Sequence, residues 1–317
     1  MHKFTGPFHQ SDIYKYLTCP FSFYLHKILN IPESYRHPNT VTGSALHWAI
    51  DSWHSQQQSP LTHLQAHDFF QDFWHKTLQG LDPMTLAHNS APLPQIKWEA
   101  IDQQQNDLID DAVSVFFNYT NQEHNLSARV LHSEITFGLV FYNNQFEGTM
   151  DQIRINDSGN LELWDFKFSK VAPSQVYLDR SFQFSLYAIA MKEGALYVPG
   201  QDALELIQIG EYPEKIVWYH LRNLIPYKRS YKGFQPGDLR GDPRIHTTRS
   251  ETQLKNTKKD LRKICTMMKS GHFPRSGRDT GGCNGFCRHL DACMNHLENL
   301  PLDYQRQATV ADLADLF

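Results

Sequence analysis

The chain has 317 residues, of which 40% are hydrophobic, 20% charged and 13% aromatic, and its formal net charge is −4. That composition is ordinary for a globular protein with a substantial core, and it excludes disorder throughout the chain. No apolar run approaches the roughly 20 residues that a membrane span needs, and the N-terminus lacks the apolar stretch of a signal peptide. We therefore expect a cytoplasmic protein without a membrane partner.

The length suits one large α/β domain with insertions as readily as two small domains, and we favour one. We expect this domain to cover residues 1–300, with a helical insertion at about 51–125 and a cysteine-bearing segment at about 271–300. A C-terminal tail would then follow over residues 301–317.

The first 125 residues predict mainly helices. Ser11 is placed to cap a helix that starts at Asp12, and Pro20 breaks or kinks this helix. A second helix starts near Thr42, and a third covers "HDFFQDFWHKTL". A fourth covers "WEAIDQQQNDLIDDAVSVFFNYT", whose apolar residues recur on one side.

After Asn125 the pattern changes to strands. The runs "ARVLHSEITFGLVF", "NQFEGTMDQIRI" and "LELWDFKF" are rich in β-branched and aromatic residues and predict an antiparallel meander. A helix over "RSFQFSLYAIAMKEG" ends at Gly194, further strands follow in "ALELIQIGEYPEKIVWYHL", and a basic helix covers "SETQLKNTKKDLRKICTMMKSG". We therefore predict a mixed sheet flanked by helices.

The turn "NDSGN" fixes a register for the second and third strands. A three-residue loop over Asp157–Gly159, with glycine in the left-handed conformation, is a favoured hairpin closure. Counting outward in steps of two pairs Ile153 with Leu163 and then Asp151 with Asp165. Two carboxylates are therefore predicted side by side on one face of the sheet.

Opposed aspartates repel one another unless a positive charge lies between them. Carboxylate oxygens suit Mg²⁺ or Mn²⁺, and Lys167 points to the same face, where it can neutralise developing charge. The pair therefore predicts a metal-assisted hydrolytic site. The alternative is two aspartates on a solvent-exposed face of the sheet.

Four motifs stand in order along the chain: "SALH" with His47, "GTMDQI" with Asp151, "DFK" with Asp165 and Lys167, and "QFSLY" with Gln183 and Tyr187. Together with the opening "YLTCPFSFYLH", this set resembles the PD-(D/E)XK nuclease superfamily. The similarity is to its RecB-like branch with an iron–sulfur cluster, which includes the AddB nuclease domain, exonuclease V and the CRISPR-associated nuclease of spacer acquisition.

The resemblance implies a restriction-endonuclease-like α/β core and a Mg²⁺- or Mn²⁺-dependent deoxyribonuclease active in DNA repair or recombination. It implies metal ligation by His47, Asp151, Asp165 and the backbone carbonyl of Phe166, with Asp151, Asp165, Lys167, Gln183 and Tyr187 as catalytic residues. Glu134, on the strand before the hairpin, is a further candidate for the acidic site. Taken singly, His47 is also consistent with an ordinary helix histidine. Gln183 and Tyr187 are likewise consistent with two helix residues that only pack together.

The cysteines predict a metal cluster. Three residues separate Cys283 from Cys287 and five separate Cys287 from Cys293, so Cys19 is the fourth candidate ligand. In the similar nucleases one distant and three close cysteines hold a [4Fe–4S] cluster that joins the terminal segments, although their usual first gap is two residues. A structural Zn²⁺ is the rival, with His289 and His296 within reach. We expect Cys265 to lie in the core.

A basic segment predicts DNA binding. Between Arg222 and Lys263 there are twelve Lys and Arg against four Asp and Glu, so the segment carries +8 while the rest of the chain carries −12. Interleaved aromatic residues are suited to stacking on unpaired bases, which predicts single-stranded or frayed DNA ends as substrate. The candidate contacts are Lys228, Arg229, Tyr231, Lys232, Arg240, Lys258 and Lys259.

Two predictions concern partners. The last five residues, Leu313–Phe317, are similar to the short peptide with which bacterial replication proteins dock into the sliding clamp, although its leading glutamine is missing here. The alternative to a nuclease is a non-catalytic DNA-binding subunit of a helicase–nuclease or integration complex, so a helicase or CRISPR partner is also possible. The intact Asp151, Asp165 and Lys167 favour the enzyme.

Overall fold

The computed structural model describes residues 4–56, 59–81, 93–98, 101–124, 129–199, 204–275, 283 and 287–298. The expected clamp-docking peptide at the C-terminus lies outside these residues. Within them, no helix combines the length and the apolar character needed to cross a membrane.

The structure contains both helices and strands. The helices are α1 (Gln10–Thr18), α2 (Pro20–Phe23), α3 (Pro38–Gln56), α4 (His63–Leu78), α5 (Ile101–Glu123), α6 (Gln175–Arg180), α7 (Phe182–Glu193), α8 (Glu251–Lys269) and α9 (Leu290–Glu298), with a π-helical turn at Tyr24–Ile28 and a 3-10 turn at Leu221–Leu224. The strands are β1 (Phe8–His9), β2 (Arg129–Phe141), β3 (Asn144–Ile155), β4 (Leu161–Lys167), β5 (Ala195–Pro199), β6 (Leu204–Ile207), β7 (Lys215–His220) and β8 (Arg244–Thr247).

The chain divides into two compact units. The smaller unit combines residues 1–36, 140–147 and 255–317, and the larger combines 37–139 and 148–254. In the smaller unit β1 pairs in parallel with β3 through Phe8 and Phe146. The candidate catalytic residues all belong to the larger unit, and the four candidate cluster cysteines all belong to the smaller one.

The strands form a mixed eight-stranded sheet with the order β6-β5-β2-β3-β4-β7-β8 and with β1 beside β3. Strand β4 is antiparallel to β3 and parallel to β7, and β8 is antiparallel to β7. The fold is therefore mixed α/β with a helix-flanked sheet, as the sequence predicts and as a restriction-endonuclease-like core requires.

Helices cover both faces of the sheet in the larger unit. Residues of α3, α4 and α5 share one hydrophobic core with Trp164 of β4 and Tyr219 of β7. Helix α7 packs on the opposite face, where Phe184 lies 6.0 Å from the ring centre of Trp218. Trp164 and Phe166 face the core that contains α3, α4 and α5. Because side chains alternate along a strand, Asp165, which lies between them, is on the α7 face of the sheet.

The hairpin register is confirmed. Strand β3 pairs with β4 through Ile153 and Leu163, and Gly159 adopts a left-handed φ of +81° at the turn. The ladder ends at the pair Gln152 and Trp164, one position before the predicted pair of aspartates. Beyond this pair, the N–H of Phe166 on β4 donates to the side chain of Asp151.

One local prediction was wrong, and two strands were not predicted. Helix α1 begins at Gln10 and its N-cap is His9, whose side chain makes no cap hydrogen bond, so Ser11 is not the cap. The backbone stays extended through His9 because that residue belongs to β1. Strands β5 and β8 were not recognised, since such short strands are stabilised by their ladders to β2 and β7 and not by local sequence.

Candidate active site

The candidate catalytic residues come from three parts of the larger unit. The hairpin β3–β4 supplies Asp151, Asp165 and Lys167, helix α3 supplies His47, and helix α7 supplies Gln183. Asp151 and His47 both contact the backbone of Phe166, and Asp165, next to Phe166 on β4, contacts Lys167 and Gln183.

Backbone and charge hold the Asp151 carboxylate. The backbone N–H of Phe166 donates to Asp151 Oδ2 over 2.6 Å, and Asp151 Oδ1 lies 3.5 Å from His47 Nδ1. Burial acts to raise the pKa of Asp151, but the charges of His47 and Lys167 outweigh it and bring the pKa below its usual value. Asp151 is therefore ionised at neutral pH and available to a cation.

Asp165 and Lys167 form an ion pair on the same face of β4. Lys167 Nζ lies 2.6 Å from Asp165 Oδ2, and the aspartate side chain is only 1% exposed. Burial raises the pKa of Asp165 to about 6, although the ammonium group of Lys167 acts to lower it. The same pairing with Asp165 raises the pKa of Lys167 against the opposing effect of burial, so the lysine is charged.

His47 connects helix α3 to the hairpin. Its Nε2 lies 2.8 Å from the carbonyl oxygen of Phe166, which accepts the hydrogen bond when Nε2 carries the proton. Burial acts to lower the pKa of His47, but the negative charge of Asp151 outweighs it, so the pKa is raised. The histidine and the carbonyl that were both predicted as metal ligands therefore lie beside each other and beside Asp151.

The two polar residues of α7 lie one helical turn apart and act together. Gln183 Nε2 donates to Asp165 Oδ1 and to the hydroxyl oxygen of Tyr187, each over 3.0 Å. The Tyr187 ring is 6% exposed and packs edge-on against Phe137. Gln183 therefore orients the buried aspartate, and Tyr187 in turn orients Gln183.

Two further carboxylic acids lie close to the group. Ligand atoms of Glu134, His47 and Asp151 all lie within 4.8 Å of one another. Burial raises the pKa of Glu134 to about 8, with a further contribution from the charge of Asp151. Glu134 was only a minor candidate from sequence because hairpin counting does not reach β2. Its backbone φ of +50°, rare for a non-glycine residue, marks a local distortion of the strand.

Asp51 was not predicted at all. It follows His47 by four residues on α3, a spacing that puts both on one helix face. Burial raises the pKa of Asp51. The helical spacing is the signal in the sequence that could have revealed it.

A cavity of about 460 Å³ lies beside the group. His47, Asp51, Glu134, Phe166 and Lys167 all line it. Carboxylate oxygens, a backbone carbonyl and one imidazole are donors that suit Mg²⁺ or Mn²⁺. His47, Glu134 and Asp151 therefore fit a divalent metal ion, whereas the predicted ligand Asp165 lies outside the group whose ligand atoms are within 4.8 Å of one another.

A buried charge cluster supports the sheet beside the site. Arg154, on β3, is 1% exposed and donates to Glu123 over 2.6 Å and to the hydroxyl of Tyr119 over 2.9 Å. Its guanidinium group lies 3.7 Å from the ring centre of Trp164. The Tyr119 ring contacts Phe166 edge-on, so this cluster braces the strand whose backbone holds Asp151.

The candidate cluster cysteines lie in the smaller unit. None of the five cysteines, all within the described residues, forms a disulfide. Burial raises the pKa of the Cys293 thiol, and the nearby thiols of Cys19 and Cys283 raise it further. Cys19 and Cys287 line one cavity. The Cys293 thiol therefore lies near two of the other three candidate ligands, while Cys265 is fully buried as predicted.

The candidate DNA contacts fall on two segments. Lys228, Arg229, Tyr231, Lys232 and Arg240 belong to a loop of the larger unit, and Lys258 and Lys259 belong to α8 in the smaller unit. The loop carries a two-residue hairpin in which the backbones of Tyr231 and Phe234 exchange two hydrogen bonds. The rings of both residues stack on Tyr227, at 5.9 and 4.9 Å between ring centres.

One comparison with known proteins identifies the family. A family model described as the PD-(D/E)XK nuclease superfamily matches residues 7–294, nearly the whole chain. No curated protein matches the chain at a significant level. Nucleases of this superfamily use divalent metal ions, in agreement with the donors around Asp151. The chain belongs to the PD-(D/E)XK nuclease superfamily, and this membership suggests that it is a nuclease.

Proposed function

We propose that the protein is a Mg²⁺- or Mn²⁺-dependent deoxyribonuclease that hydrolyses phosphodiester bonds at single-stranded or frayed DNA ends. The observation that carries the proposal is the group formed by Asp151, Asp165 and Lys167 beside His47. The aspartate and lysine of β4 are held 2.6 Å apart, and His47 and Lys167 line a cavity. A purely structural role does not explain why two buried carboxylates converge where they repel each other.

Each residue of the group has a proposed role. Asp151, Asp165, His47 and the carbonyl of Phe166 would hold the cation. When bound, a divalent cation polarises the phosphodiester and lowers the pKa of the attacking water. Lys167 would neutralise charge that develops on the phosphate and orient the attacking water. Gln183 would keep Asp165 in position through its hydrogen bond.

The preference for unpaired ends is supported by the aromatic hairpin at Tyr231 and Phe234. Tyr231 and Phe234 are 52% and 39% exposed. Exposed aromatic faces beside Lys228, Arg229 and Lys232 combine base stacking with phosphate attraction, and stacking does not depend on base sequence. We therefore expect single strands to bind more tightly than blunt duplexes.

We propose that the protein belongs to the RecB-like branch of the superfamily. We also propose that it holds a [4Fe–4S] cluster through Cys19, Cys283, Cys287 and Cys293. The proximity of three of these thiols supports the cluster. Its role would be structural, because it would connect the first helices to the C-terminal segment. Iron and sulfide analysis with an absorbance scan after anaerobic purification tests it. A colourless protein that contains zinc and no iron would exclude the cluster.

The decisive test of the nuclease is digestion of 5′- and 3′-end-labelled single strands, duplexes and closed circles with Mn²⁺. We expect progressive shortening of single strands and frayed duplexes from their ends, and intact circles. Asp165→Asn, which keeps the size of the side chain, should abolish cleavage while far-ultraviolet circular dichroism stays unchanged. Cutting of closed circles would refute the exonuclease.

The same experiment separates the enzyme from a non-catalytic DNA-binding subunit. A subunit without activity would bind labelled single strands in a mobility-shift assay and leave every substrate intact with either metal. In that case Asp165→Asn would change neither binding nor cleavage. Docking to a sliding clamp, a helicase or a CRISPR partner stays a proposal, which co-purification with those proteins would test.

A further inference from the structure

The smaller unit contains a second cluster of metal-ligating side chains, which is distinct from the carboxylate site and lines the same cavity as Cys19 and Cys287. Ligand atoms of His26, Glu33 and His289 all lie within 4.8 Å of one another. They line the cavity of about 510 Å³ in this unit. Two imidazoles and one carboxylate are a donor set that suits zinc and related divalent transition metals.

His289 provides the independent observation that points to a ligand. The residue is 2% exposed, and among the residues that the structure describes neither of its ring nitrogens has a hydrogen-bond partner. A buried polar group without a partner costs folding free energy, and native proteins rarely leave one unsatisfied. A metal ion would use the lone pair that this ring leaves without a partner.

The backbone holds the three ligands in place before any ion binds. His26 lies in the π-helical turn Tyr24–Ile28, a local irregularity that is frequent at functional sites. The backbone N–H and the hydroxyl of Ser34 both donate to the carbonyl oxygen of Arg288, each over 2.9 Å. These bonds fix Glu33 and His289 next to each other, although they are far apart in sequence.

The charged side chains around the cluster form ion pairs with one another. Lys15 and Arg288 both pair with Glu33, at 3.2 and 2.5 Å, and Lys27 pairs with Asp12 at 3.1 Å. The basic side chains of the cavity are therefore engaged by carboxylates. Each carboxylate oxygen has two lone pairs, so Glu33 can accept both hydrogen bonds and still offer a lone pair to a metal.

We propose that His26, Glu33 and His289 form a binding site for a divalent transition-metal ion such as Zn²⁺. The ion joins the N-terminal helical segment to the C-terminal segment that begins α9. It is distinct from the catalytic cation, and the proposal does not depend on nuclease activity.

Co²⁺ is the probe for the test, because its visible absorption reports the ligands. The full-length protein is titrated with Co²⁺ as wild type and as His289→Ala, and their difference spectrum isolates this site from the carboxylate site. We expect one equivalent of Co²⁺ per chain in the difference, with d–d bands and without a thiolate-to-cobalt charge-transfer band. In His289→Ala the affinity for this Co²⁺ ion should fall by more than about 100-fold. Loss of a residue that only orients a metal ligand already lowers affinity by up to about 100-fold, and His289 is itself a ligand.

Two further variants complete the experiment. His26→Ala, at a half-buried position where folding tolerates the change better, should lose the same equivalent of Co²⁺. His272→Ala changes an exposed histidine of the same unit and should keep it. Equal Co²⁺ binding by wild type, His26→Ala and His289→Ala would overturn the proposal. A thiolate-to-cobalt band in the difference spectrum would also overturn it, because the ion would then lie on the cysteines.

Discussion

Asp151 is fixed by the backbone of Phe166, whose N–H donates to Asp151 Oδ2 over 2.6 Å. The carbonyl oxygen of the same residue lies 2.8 Å from His47 Nε2. One peptide segment of β4 therefore orients two of the candidate metal ligands and offers its own carbonyl as a third. A site of this kind depends on the position of a strand as much as on its side chains.

Lys167→Met should lower the rate of Mn²⁺-dependent cleavage by about 10²–10⁴-fold, the usual range for a group that assists proton transfer or neutralises charge. Lys167→Arg should restore little, because a planar guanidinium group does not replace a compact ammonium group at 2.6 Å from Asp165. Single-turnover cleavage of a labelled single strand measures both. Lys170→Met, at an exposed lysine three residues later, is the control, and an unchanged rate in Lys167→Met would contradict the assignment.

Gln183→Leu should reduce kcat by about 10–100-fold through misplacement of Asp165. Because a hydrogen bond to an ionised carboxylate lowers its pKa, loss of this bond should also shift the acidic limb of the pH–rate profile to higher pH. Tyr187→Phe keeps the ring that packs on Phe137 and removes only the acceptor for Gln183, so its effect should be smaller. Equal and pH-independent losses in both variants would indicate a packing role only.

Binding of Mn²⁺ should release about one proton per ion at pH 7. Burial and the charge of Asp151 raise the pKa of Glu134 to about 8, so the metal-free protein keeps this carboxyl group protonated and a cation displaces the proton. Calorimetry in two buffers of different ionisation enthalpy measures the release, which should be about one proton per ion smaller in Glu134→Gln than in the wild type. Metal binding without proton release in the wild type would contradict the proximity of Glu134 to the ion.

The same raised pKa predicts how pH changes the stability of the metal-free protein. Folded Glu134 binds its proton more tightly than the unfolded chain does, so its contribution to stability is complete at low pH. That contribution is lost as pH rises from about 4.5, the usual value, through about 8. Thermal unfolding in the presence of chelator should therefore show a smaller decline in Tm between pH 6 and about 8.5 for Glu134→Gln than for wild type.

Glu123→Gln should destabilise the protein by about 3–5 kcal/mol, the range for removing one partner of a buried ion pair. Glu123 accepts from Arg154 over 2.6 Å and from Tyr219 over 2.9 Å, all in the buried core. Asp72→Asn breaks an exposed ion pair of similar length and should cost only about 0.3–0.5 kcal/mol. Urea unfolding of the two variants compares them, and equal costs would show that the buried cluster contributes no more than a surface pair.

Tyr231→Ala and Phe234→Ala should each weaken binding to single-stranded DNA by about 10–100-fold, since stacking of one base contributes roughly 1–3 kcal/mol. Binding to blunt duplex should change little. Fluorescence anisotropy at fixed salt measures both substrates, with Tyr212→Ala as control because that ring belongs to the same unit but lies outside the basic loop. Equal losses on single strands and duplexes would refute base stacking.

The sequence predicts the part of the site that depends on local structure. The turn over Asp157–Gly159 sets the register of the hairpin, and the structure confirms the pairing of Ile153 with Leu163. Alternation along β4 then places Asp165 and Lys167 on one face without any long-range information. The role of these residues in catalysis stays a prediction for the experiments above.

The contacts that depend on tertiary structure could not be predicted in this way. Glu134 and Asp51 approach the hairpin from β2 and α3, and the packing of those elements is not encoded in any short motif. In the sequence, Arg154 is one more charged residue on a strand. In the structure it is buried, because it pairs with Glu123 of α5. The predicted cap of α1 was wrong because His9, the residue before the helix, belongs to β1. This strand pairs with β3, a partner that local sequence does not reveal.

The short turn of the β3–β4 hairpin also has a consequence for the order of folding events. A hairpin of this kind closes in about 1–10 μs, whereas His47 must cross a loop of about 100 residues to reach it, at a greater cost in chain entropy. The two aspartates therefore come together by a local event, and the histidine is added by a slow, non-local one. Unfolding should reverse this order, with His47 released before the carboxylate pair separates.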